Sequence, residues 1–142
     1  MIFRYVLIIL SMIIQSCSKE KTAQEKATVC DSEVIISASD YENAPADELK
    51  INSIEIDNDC LIINFSSSGC NGDSWEVLLI DSDIILESFP PQRHLRLSLK
   101  NEELCAAYIT KQNTFAISDL RVSGNSIMLH LTNSEQSLLY EY

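Results

Sequence analysis

Three groups of residues in this chain carry chemistry worth weighing. The first is the run Ser66-Ser67-Ser68-Gly69-Cys70-Asn71-Gly72-Asp73-Ser74-Trp75, which sets hydroxyls and a carboxylate beside the single tryptophan. A nucleophilic serine needs a base within hydrogen-bond reach, and none is spaced to activate one here. The expectation is a disulfide-anchored hairpin whose Trp75 plugs the core, with a binding loop as the competing reading. The second group is acidic: Asp57-Asn58-Asp59, and Asp73, Asp81 and Asp83. Calcium wants several oxygens converging from a regularly spaced loop closed by a bidentate Glu. Neither cluster has that spacing, so solvated turns are expected. The third is His94 and His130, each on the polar phase of an alternating run with no second ligand near it in sequence, which reads as surface and not as metal.

Five cysteines add a constraint of a different kind. Cys30, Cys60, Cys70 and Cys105 form an even set with no Cys-x-x-Cys or Cys/His cluster, which points to disulfides in an oxidising compartment. Cys60 and Cys70 bracket a strand-like run at roughly 3.3 Å per residue. They would stand well over ~20 Å apart, whereas bridged Cα atoms lie about 4.4–6.8 Å apart. Cys60 must then pair with Cys30 or Cys105, and Cys70 with the other. Cys30–Cys60 with Cys70–Cys105 is the preferred arrangement.

Cys17 stands apart. It follows Arg4, an almost unbroken apolar run over residues 5–14, and then Gln15-Ser16, which is the layout of a secretory signal peptide. The run is too short to span a bilayer, which takes roughly 20 apolar residues. Ile14-Gln15-Ser16-Cys17 resembles the lipobox of bacterial lipoproteins. That resemblance covers about the first twenty residues and implies that Cys17 becomes the lipidated N-terminus, anchored in a bacterial outer membrane. Acyl chains beyond the first make such anchoring stable. The chain is thus divided into a leader at 1–16, a lipidated cysteine with a polar tether at 17–29, and one domain at 30–142. The loop at 66–75, Pro90-Pro91-Gln92 and the ending Leu138-Leu139-Tyr140-Glu141-Tyr142 look similar to small uncharacterised lipoproteins of flavobacteria and other Bacteroidota, a resemblance that implies no activity.

The chain carries a net charge of −11, and loss of Arg4 with the leader makes it −12. An acidic body argues against nucleic acid and against anionic headgroups, both of which attract Lys/Arg patches. Membrane attachment is accordingly assigned to the lipid alone.

The elements that must position these residues are strands. From residue 33 onward the apolar period is two. Leu95, Leu97 and Leu99 alternate with His94, Arg96 and Ser98. Ile127, Leu129 and Leu131 alternate with Met128 and His130, and Leu61, Ile63 and Phe65 with Ile62 and Asn64. Trp75, Val77 and Leu79 make another inward row, although Leu78 and Ile80 render that strand apolar on both faces, as in a covered central strand. Weaker strands are read at 33–38, 48–56, 84–88, 104–110 and 113–118. The apolar phase slips near Asn52-Ser53, as a bulge requires. Asn71-Gly72 and Gly124-Asn125 carry turn chemistry, and Pro90-Pro91 ends a run. Tyr140 and Tyr142 read as a last strand stitched into a sheet. The pattern predicts an all-β antiparallel sandwich, immunoglobulin-like, of about seven to nine short strands, with a small barrel as the alternative and a helical signal segment in front.

Function is read no further than an envelope-anchored, non-enzymatic binding or accessory module with no cofactor and a protein partner in the envelope. The alternative is an inhibitor or immunity-like protein that inserts its loop 66–75 into a periplasmic enzyme.

Overall fold

The alternating rows become nine strands in a computed structural model that describes residues 29–142. They are β1 (Ser32–Glu33), β2 (Ile35–Ile36), β3 (Lys50–Asp57), β4 (Cys60–Gly69), β5 (Glu76–Leu86), β6 (Gln92–Lys100), β7 (Ala107–Ala116), β8 (Ser126–Leu131) and β9 (Ser137–Glu141). A short helix α1 (Ala38–Asn43) and a 3-10 turn (Ser118–Leu120) complete the set. The leader, Cys17 and the tether up to residue 28 lie outside the described residues.

Two sheets face each other. One has the order β1-β7-β4-β3 and the other β2-β5-β6-β8-β9. Leu61, Ile63 and Phe65 of β4 and Phe115 of β7 meet Leu79, Leu95, Leu97, Ile127, Leu129 and Tyr140 from the opposite layer, all essentially inaccessible. Burying one such side chain contributes about 1.5–3 kcal/mol, so these rows set the register of every long strand. A bulge falls between Ile51 and Ser53, where the phase slip placed it.

The expected antiparallel sandwich is corrected to one of mixed sheets. β1–β7, β2–β5 and β6–β8 pair in parallel, and the strand order is not the immunoglobulin one. The reason is connectivity. After Glu33 the chain crosses between layers: Val34 donates its N–H to Ala116 O (3.1 Å), and Ile35 then pairs with Ile80. The expected strand 33–38 is therefore two short pieces in different sheets. It ends in α1, whose N-cap Ser37 accepts a bond from the Asp40 N–H (3.2 Å). The stretch predicted as a strand at 84–88 instead belongs largely to the end of β5, and those at 104–110 and 113–118 merge into β7.

α1 and the segment after it run over the outer face of the five-stranded sheet. Arg96 Nη2 donates to Asp40 O (3.2 Å) and Ala44 O (3.1 Å), and the Ser98 hydroxyl donates to Pro45 O (2.7 Å). Ile80 is completely buried beneath this cover, while Leu78 on the same face is 41% exposed. The two-faced apolar pattern of β5 is thus only half used.

The sandwich has two distinct ends. The Asp59 end gathers the β3–β4 turn, the β5–β6 turn and the start of β8; Met128 donates to Pro91 O (2.8 Å) and Tyr140 to Asp59 Oδ1 (2.5 Å). The Gly69 end gathers the loops 70–75 and 101–106.

Candidate functional site

A heavily braced loop lies at the Gly69 end. β4 leaves its sheet at Gly69 and β5 begins in the other sheet at Glu76, so residues 70–75 arch between layers. This corrects the expected hairpin: β4 pairs with β3 and β7, never with β5. The arch is held by one carboxylate. Glu103 Oε2 accepts the N–H groups of Cys70 (2.5 Å), Asn71 (3.2 Å) and Gly72 (3.0 Å), and Oε1 accepts the Ser74 hydroxyl (3.0 Å). Successive amides turned towards one anion form a nest. Gly72 makes the arch possible: its φ is +73°, and a Cβ there would meet Lys111 Cε at 2.7 Å. Desolvation works against the charge on Glu103, but the bonds from Gly72, Cys70, Ser74 and Asn71 prevail and hold its carboxyl down at about 2.

The disulfide Cys70–Cys105 ties the arch to the same segment that carries Glu103, and Cys30–Cys60 closes the other bridge, with Cα separations of 4.8 and 5.7 Å. This is the connectivity preferred on sequence grounds. Asn101 extends the brace, donating from its amide to Ser68 O (2.6 Å) and accepting the Glu103 N–H (3.0 Å).

Beside the arch is a cleft of about 460 Å³ between the sheets. Trp75, Phe65 and Val77 form its apolar wall, while Asp31, Asp73, Lys111 and Asn113 form its polar rim. The Trp75 and Phe65 ring centres lie 6.0 Å apart, tilted by 37°. Lys111 Nζ bonds Asp73 Oδ1 at 3.1 Å, and Asp73 Oδ2 accepts from the Asn71 amide (2.9 Å), so the rim charges are tied to the arch. Trp75 Nε1 is buried without a hydrogen-bond partner among the described residues. Its volume falls within the range of small-ligand sites.

The other sequence candidates are dispersed. Ser66 and Ser67 are buried and bound structurally, Ser66 Oγ to Thr110 Oγ1 (2.8 Å) and Ser67 Oγ to Glu48 O (2.6 Å). Asp59 bonds the Tyr140 hydroxyl and the Arg121 guanidinium, whose carbon lies 5.7 and 5.2 Å from the Tyr140 and Tyr142 ring centres. The bond from Tyr140, and then Arg121, hold Asp59 below its usual value despite some desolvation; Tyr140 itself is pushed up to about 12 by burial and by Asp59. Asp81 lies inside the sandwich, paired with Arg93 at 2.6 Å and accepting the Asp83 N–H (2.8 Å). Burial outweighs both bonds and raises its carboxyl. Among the described residues no three His, Cys, Asp or Glu side chains converge as metal ligands.

His94 and His130 are brought together, contrary to their isolation in sequence. They are partner positions of the parallel β6–β8 pair, with rings stacked 5.1 Å apart. His130 bonds Ser137 Oγ (2.7 Å) and Gln92 Oε1 (2.9 Å) through its two nitrogens. Sequence reasoning also missed Glu103. A signal existed: it sits two residues before Cys105, so the Cys70–Cys105 pairing alone places it beside the arch.

No protein-family model matches the sequence, and no curated protein matches it. Two solved structures are similar in fold. One is a protein of unknown function, DUF1344, from Bacteroides vulgatus, at 14% identity and a TM-score of 0.51, matched over 78% of this chain and 56% of that one. The other, from Parabacteroides distasonis, is described as toxin-related; it is 17% identical with a TM-score of 0.45, over 77% of this chain and 61% of that one. The chain therefore spans somewhat more than half the length of each. At these identities the likeness concerns the fold alone.

Proposed function

We propose that this protein is an envelope lipoprotein, anchored at Cys17 in a bacterial outer membrane, whose sandwich is a non-enzymatic binding module with its site at the Trp75 cleft. The observation that carries the reading is the cleft itself, an aromatic wall under a charged rim held in place by the Glu103 nest and a disulfide. Sites whose walls are fixed before the ligand arrives avoid an ordering cost on binding. The rim carries Asp31 and Asp73 against one lysine, which suits a ligand with hydroxyls or a cationic group and an apolar face for Trp75.

Trp75 is the only tryptophan, so it reports on its own site. Titration of the folded protein with envelope oligosaccharides and short basic peptides should shift its emission, and the shift should vanish in Lys111→Ala and Asp73→Ala. Emission that stays constant through the whole panel, with the protein folded, would count against the binding module.

The inhibitor reading draws on a separate observation. Leu104 is 99% exposed on the braced segment beside Cys105, an apolar tip on a rigid support. An inhibitor would lose its target enzyme in Leu104→Asp while the Trp75 titration stayed intact, and a binding module would not be affected by that change.

A further inference from the structure

Of the large apolar side chains left exposed, four sit together at the β5–β6 turn. Ile84, Ile85 and Leu86 are 55, 45 and 43% exposed, and Phe89 is fully exposed. Their backbone is stiff. Pro90 and Pro91 follow Phe89, the Ser88 hydroxyl donates to Pro90 O (2.7 Å), and Gln92 Nε2 donates back to Ser88 Oγ (3.0 Å). The ladder between β5 and β6 resumes beyond the irregularity at residues 82–84, with Ile85 opposite Arg93 and Leu86 opposite Gln92. This is a built protrusion that presents hydrocarbon to its surroundings. Ile84 and Leu86 fall on one face of the strand and Ile85 on the other, so both faces of the turn are apolar, where single exposed apolar side chains would be ordinary surface.

Its place in the molecule says what the contact is. The turn lies at the Asp59 end, and so does the exit of the chain towards Cys17. Cys30 is bonded to Cys60 next to Asp59, and Val29 before it is exposed. Twelve residue steps lead from Val29 back to Cys17. Fully extended they reach about 40 Å. β4, with ten residues, makes the sandwich roughly 33 Å long. Setting the Gly69 end against the bilayer would stretch the tether almost straight along the whole domain, at a large cost in chain entropy. The Asp59 end needs no such stretching. Charge narrows the surface further. The protrusion carries Asp83 and Glu87, and the cation opposite Ile85 in the ladder, Arg93, is buried against Asp81. It offers nothing to anionic headgroups, so the contact is with the apolar and zwitterionic part of the interface.

We infer that the β5–β6 turn, through Ile84, Ile85, Leu86 and Phe89, seats in the lipid surface that holds Cys17, so that the domain stands with its Asp59 end on the membrane and its cleft facing away. The inference rests on the lipoprotein reading above. It makes the turn a second, weaker attachment that fixes orientation, while the acyl chains supply retention.

The test uses the full, processed protein on phosphatidylcholine vesicles whose acyl chains carry bromine, a contact quencher of tryptophan. In the native chain the reporter is Trp75, at the opposite end, and its emission should be unchanged by the brominated lipid. Phe89→Trp places a second reporter on an exposed position where folding is not at stake, and this variant should lose emission on the brominated vesicles. Adding Ile84→Ser and Ile85→Ser should restore it with the protein still bound. A lipidated, vesicle-bound Phe89→Trp protein that shows no quenching overturns the seating and leaves the anchor standing. Quenching of Trp75 in the native chain overturns it as well, since another face is then on the membrane. Intact mass showing a bare Cys17, with no flotation, removes the anchor and the seating together.

Discussion

At the scale of single residues, two carboxylates in this protein do opposite things. Glu103 is an ionised acceptor surrounded by donors, and its charge favours the folded state. Its folded carboxyl titrates at about 2, against 4.5 ordinarily. A carboxyl depressed in this way stabilises above its unfolded value and loses that contribution as pH falls towards its folded one. Glu103→Gln keeps one acceptor oxygen and gives up the charge, so its melting temperature should lie below that of the native protein at pH 7. The gap should narrow as pH is lowered from about 4.5 to 2, and a gap that is the same at both ends would dissociate Glu103 from the arch. Asp81 is the reverse case, a carboxylate inside the sandwich that burial makes reluctant to ionise. Asp81 Oδ2, Arg93 Nε and Ser82 Oγ are all buried without partners among the described residues. Truncating one member of a buried pair strands the other, at a cost of about 3–5 kcal/mol. Arg93→Met should be destabilised by about that much, and Asp81→Leu with Arg93→Met should regain most of it in chemical denaturation. A double variant as unstable as the single one would mean that the pair contributes net stability.

At the scale of elements, the two disulfides look equivalent and should behave differently. They span 30 and 35 residues, so the chain-entropy model assigns each about 3–4 kcal/mol. Only Cys70–Cys105 also braces the arch over Trp75. Replacing that pair with serines should shift the Trp75 emission to the red in the still-folded protein. The same change at Cys30 and Cys60 should lower stability with little spectral effect, and equal shifts in both would show that the arch depends on global stability alone. The strands themselves were legible because period-two alternation is written locally: Leu95, Leu97 and Leu99 point inward in sequence and in space. The slip at Asn52-Ser53 was equally local. Pairing partners were not legible. Nothing near His94 announces His130, and nothing in 66–75 says that β5 joins the opposite sheet, because both follow from how distant strands are laid side by side. α1 was missed for a different reason. Its six residues are too few for an apolar period, and the capping Ser37 is its clearest sign.

At the scale of the whole molecule, the two ends of the sandwich differ in what they expose: Ile84, Ile85, Leu86 and Phe89 at one, Leu104 and Tyr108 at the other. A net charge of −11 works against anionic lipid, so the membrane contact proposed above would have to be apolar. The described residues offer that at the β5–β6 turn, on the end where the chain leaves for Cys17. The Gly69 end carries the cleft, the braced arch and the exposed Leu104, the parts suited to meeting something else. An attachment of this kind differs from an electrostatic one in its response to salt. Ion pairs at a surface are screened over about 3 Å at 1 M, whereas burial of hydrocarbon is not weakened by salt. A protein held through Cys17 should therefore stay with the membrane fraction through a 1 M salt wash (~3 Å screening length). On the lipoprotein reading, Cys17→Ala should lack the added lipid mass and appear in the soluble fraction, since four side chains at a turn would be too small a contact to retain the domain alone. If the Cys17→Ala protein is fully processed and remains on the membrane in salt, the domain has a contact stronger than the one described, and the anchor is not what places it.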